Sequence, residues 1–80
     1  MTKTVDTRIA ECVNIRRQLQ SLGILTIPDI SAKLTKRMNE FVSSGISQSF
    51  KLIIPDDPGT YVHVILSSNP AKQSGVSLVK

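Results

Sequence analysis

The hydrophobic pattern of this chain changes period at Gly45, and that change constrains the fold more than any other feature. Before it, apolar residues recur every three or four positions, the spacing that lines one face of a helix; after it they alternate, as in a strand with one buried face. Helices therefore come first and strands follow.

From Thr4 to Leu22 the series Val5, Ile9, Cys12, Ile15, Leu19 and Leu22 predicts a first helix, with Thr4 or Asp6 as its N-terminal cap and Gly23 as its stop. Ile24-Leu25-Thr26-Ile27 is short and apolar, and reads as a brief strand or a tucked linker. After Pro28, Asp29 is placed to cap a second helix, whose stripe is Ile30, Leu34, Met38, Phe41 and Val42 and whose end is Gly45.

Phe50, Leu52 and Ile54 alternate with Ser49, Lys51 and Ile53, and Thr60 to Ser67 alternates likewise. Asp56-Asp57-Pro58-Gly59 is the expected hairpin turn between these strands. A loop of two or four residues would group Phe50, Leu52 and Ile54 with Tyr61, His63 and Ile65; three or five residues would group them with Val62, Val64 and Leu66. The second grouping makes the better core. It leaves Lys51, Ile53, Tyr61, His63 and Ile65 together on the other face, which is too apolar for an ordinary solvated surface and is the expected interaction surface. Ser67 to Gly75 reads as a polar loop, and Val76 to Val79 as a returning third strand.

The expected fold is α+β, with two helices packed on one face of a small antiparallel sheet in the order α(β)αββ(β), as one compact domain over residues 1–80. With 40% hydrophobic residues but only 4% aromatic, Ile, Val and Leu must carry a modest core, and self-association would supply further burial. The order of elements is similar to the N-terminal domain of a small-subunit ribosomal protein that grips structured RNA. The second helix, the strands and Asn69-Pro70 are similar to histone-like DNA-bending proteins, although their long basic arm has no counterpart before Asn69. Both likenesses are of pattern and assign no functional residue.

Catalytic and metal-binding signatures are missing from the sequence. His63 is the only histidine and Cys12 the only cysteine, so no zinc-type cluster is expected, and Asp56 and Asp57 suit a turn better than a catalytic dyad. The serines lack a strand-Ser-helix elbow, and each glycine falls where an element ends. The reading is therefore of a protein that is not an enzyme and uses no cofactor or metal. A lone cysteine among apolar positions suits a reduced, cytoplasmic or other intracellular setting, and no run approaches the ~18 apolar residues of a membrane span.

Ten Lys and Arg against six Asp and Glu give a formal charge of +4, a mild bias toward polyanions. Arg16 and Arg17 lie at the polar edge of the first helix, and Lys33, Lys36 and Arg37 crowd the second, where Glu40 is positioned to pair with Lys36. With Lys51 they form the expected nucleic-acid-binding set, against the plainer alternative of a solvated helix face. The second functional expectation is a protein-interaction or homodimerisation module using the outer sheet face (Ile53, Tyr61, His63, Ile65) or a sheet edge.

Overall fold

The computed structural model describes residues 2–80. Two helices, α1 (Val5–Ser21) and α2 (Pro28–Ser44), precede three strands, β1 (Gln48–Ile54), β2 (Asp57–Leu66) and β3 (Gly75–Val79). The strands form one antiparallel sheet in the order β1-β2-β3. Between the helices, Ile24 to Ile27 is a turn and not a strand, with the Ile24 side chain buried in the core.

The helix ends follow local chemistry. The Thr4 hydroxyl accepts the Thr7 N–H at 3.2 Å, satisfying a free donor of the first turn. Gly23 and Gly45 take positive φ values of 75° and 72°, the left-handed conformation in which a side chain would be strained. Asp29 does not cap α2. That helix begins one residue earlier, at Pro28, whose fixed φ and missing N–H suit the first helical position; the cap is Ile27, without a side-chain hydrogen bond, and Asp29 lies in the positive first turn.

Both helices cover one face of the sheet around a shared core. Phe41, Ile15, Leu19, Leu34, Leu52, Leu66, Val62 and Val64 are almost wholly buried, each worth about 1.5–3 kcal/mol of burial. The buried face of α1 is Arg8, Cys12, Ile15 and Leu19. Val5, Ile9 and Leu22, expected in that stripe, are exposed, as is Val13, because the face turned to the core starts from an arginine.

Register agrees with the grouping that makes the better core: Phe50 pairs with Val64 and Leu52 with Val62. The connection differs from expectation. The turn is Pro55-Asp56, and β2 already begins at Asp57. The register then shifts, since Ile54 pairs with Asp57 but Ile53 with Tyr61. This bulge places Pro58, Gly59 and Thr60 on one strand without counterparts, a setting that tolerates proline, and it gives a two-residue turn the face grouping expected of an odd loop. The Asp57 carboxylate accepts the buried Thr60 hydroxyl at 2.6 Å and so holds the bulge.

Candidate binding surface

The side of the sheet away from the helices is uncovered. Alternation places Ser49, Lys51 and Ile53 of β1 there, beside Tyr61, His63 and Ile65 of β2, and pairing across to β3 adds Gly75, Ser77 and Val79. Ile53 is 59% exposed and Ile65 42%. The expected interaction residues thus share one surface. None of the six acidic residues belongs to it: Asp6 and Glu11 are on α1, Asp29 and Glu40 on α2, and Asp56 and Asp57 at the hairpin tip.

Polar contacts order this face. The Lys51 ammonium sits 4.7 Å from the centre of the Tyr61 ring, a cation–π distance. The Ser49 hydroxyl lies 2.8 Å from His63 Nε2. The cross-strand neighbours of His63 are Lys51 and Ser77, so its neighbours in the ladder bring no carboxylate to form a catalytic relay.

The six expected nucleic-acid contacts divide between surfaces. Lys33 and Arg37 border β1: Lys33 Nζ donates to the Lys51 carbonyl at 2.8 Å, and Arg37 donates to Gln48 Oε1 at 2.9 Å while lying 5.4 Å from the Phe50 ring centre. Lys33 therefore lies at the β1 edge beside Lys51, while Arg37 lies just past that edge on the helix side, over the buried Phe50. Arg16 is held elsewhere, 3.7 Å from the Met38 sulfur, beside a shallow groove that Ser31 also lines on the α1 side of α2. Arg17 and Lys36 are exposed, and Lys36 forms no ion pair with Glu40.

Two basic residues outside the expected set are buried. Arg8 donates to the Lys3 carbonyl and, through Nε and Nη2, to the Val42 carbonyl at 3.3 and 2.9 Å, so a cation closes the negative end of α2. Lys3 Nζ meets Glu11 at 2.6 Å, and Glu11 also accepts the Ser74 hydroxyl at 2.6 Å. The signal for Arg8 was its place four residues before Cys12 and seven before Ile15, which completes a helical face better than Val5 does.

Cys12 is buried, and burial pushes its thiol above the ordinary value of 9.0; the Glu11 charge adds to the rise and Arg16 opposes it. Among the described residues no group of three or more His, Cys, Asp or Glu could hold a metal ion, and no helix is long and apolar enough to cross a membrane. Comparison with protein families, curated proteins and solved structures returns no match.

Proposed function

We propose that the chain is a non-enzymatic binding module for single-stranded nucleic acid, laid across the open sheet face along its β1 margin. The observation that carries this reading is the carboxylate-free face itself, on which the Tyr61 and His63 rings stand two residues apart beside Lys51, with Lys33 at the β1 edge and Arg37 just beyond it on the helix side. Aromatic rings on a sheet offer stacking platforms to unpaired bases, and neighbouring cations meet the phosphates. Lys33 and Arg37 each spend only part of their donor capacity within the chain, so both retain N–H groups for a phosphate.

Three phosphate contacts on a single strand give a slope of about −2 in log affinity against log salt. The test is fluorescence anisotropy with labelled single-stranded RNA and DNA at several salt concentrations. The expected result is binding at low salt with that slope, weakened by Lys51→Glu and by Tyr61→Ser, with Arg17→Ala nearly silent. Absence of binding at low salt, or binding indifferent to Lys51→Glu, overturns the reading.

A further inference from the structure

The sheet order leaves two strand edges, and they are treated differently. On β1 the Lys51 carbonyl, in mid-strand, is taken by Lys33 Nζ at 2.8 Å, so an incoming strand would have to displace a lysine. On β3 none of the described side-chain hydrogen bonds reaches the backbone of Gly75–Val79. Its sequence, Gly-Val-Ser-Leu-Val, contains no charge and no proline, and its pairing with β2 runs without a bulge. The usual protections of an edge are present on one side and missing on the other.

Leu78 supplies a second observation. It pairs with Val62, which is wholly buried on the helix-covered face, yet Leu78 is itself 50% exposed. α1 packs against β3 around Val76 but leaves Leu78 uncovered, an apolar side chain where a further strand would cover it.

We propose that β3 pairs with the β3 of a second copy of this chain, antiparallel about a two-fold axis at Ser77, to make one continuous six-stranded sheet. Facing geometry selects the register. Val76 and Leu78 point to the helix side, so pairing must match residues of like parity, and only centring on Ser77 engages all five residues of both strands. Leu78 then faces the partner's Val76, and Ser77 faces its own counterpart across the axis.

Charge favours the same arrangement. One residue beyond β3, Lys80 falls opposite the partner's Ser74, on the helix side, where the Ser74 hydroxyl is bonded to Glu11 of α1. Symmetry brings this cation toward the Lys3–Glu11 pair at both ends of the junction, where it would share a carboxylate that Lys3 already meets, and no like charges oppose each other along the strand itself. A second copy is therefore the occupant that fits the edge in register, apolar contact and charge.

Five residues a side make an interface below the ~1,200 Å² of standard complexes, so the dimer is a weak one that forms with rising concentration. The test is sedimentation equilibrium on nuclease-treated protein, from low to high micromolar, which makes the outcome independent of the nucleic-acid reading. Mass should rise from 8.8 kDa to twice that and stop. Leu78→Lys, at an exposed position, should raise the dimer dissociation constant at least roughly tenfold while circular dichroism stays unchanged, and Lys80→Glu should weaken it less. Three results overturn the proposal: a monomer at every concentration, growth beyond two copies, or a dimer untouched by Leu78→Lys but abolished by Ile53→Lys and Ile65→Lys on the open face.

Discussion

Arg8 joins three parts of the chain through one side chain. It is 8% exposed, ties the chain before α1 to the last turn of α2, and lies where a side chain at Gly45 would come within 3.2 Å of its Nη1. Arg8→Ala leaves the Val42 carbonyl without its charged donor and is expected to cost about 2–3 kcal/mol in urea unfolding; Arg8→Lys, lacking the forked geometry, should recover only part of that. Cys12 gives a pH signature. The folded chain holds the thiol proton more tightly than the unfolded chain does, so this contribution is intact below 9.0 and is lost as pH rises through the raised folded value. Unfolding midpoints measured across alkaline pH should fall less steeply in Cys12→Ala than in the natural sequence. The sequence hid Arg8 for a physical reason: Val5 and Ile9 also fall at three- and four-residue steps before Cys12, although further round the helix, and a charge at a core position is rare unless backbone carbonyls receive it.

At the scale of elements, periodicity carried most of the information. The stripe of α2, the faces of β1 and β2 and the return of β3 could all be read from it, because burial of one face is what fixes register. The hairpin tip could not, since the same residues suit two different turns. Asp56-Asp57-Pro58-Gly59 has the composition of a four-residue turn, but the bulge lets Pro58 sit in the strand while Asp57 hydrogen-bonds Thr60. Asp57→Ala should therefore act as a core mutation and not a loop mutation: it strands the buried Thr60 hydroxyl and is expected to lower stability by about 1–2 kcal/mol, whereas Asp56→Ala should lie near zero. Thermal unfolding of the two variants side by side checks the contrast. The basic set was legible as composition only, because which flank of a helix meets the sheet depends on packing that charge spacing does not encode.

For the molecule as a whole, the two ends of the chain are joined by backbone and side-chain bonds between residues far apart in sequence. The Lys3 N–H donates to the Ser68 carbonyl, and Glu11 is tied to Ser74 across 63 positions. The helix pair and the β1–β2 hairpin each close over short stretches, but this junction must gather both ends of the chain, and closing so long a loop carries the larger entropy cost. The folding order that follows is two locally formed halves first, with β3 seated against α1 last. Native-state hydrogen exchange should find the β3 amides opening at lower free energy than those of β2, although both strands belong to one sheet. A strand that seats late spends the longest time unpaired, so the same five residues that complete the sheet are also the ones most open to being captured by a neighbouring chain during folding.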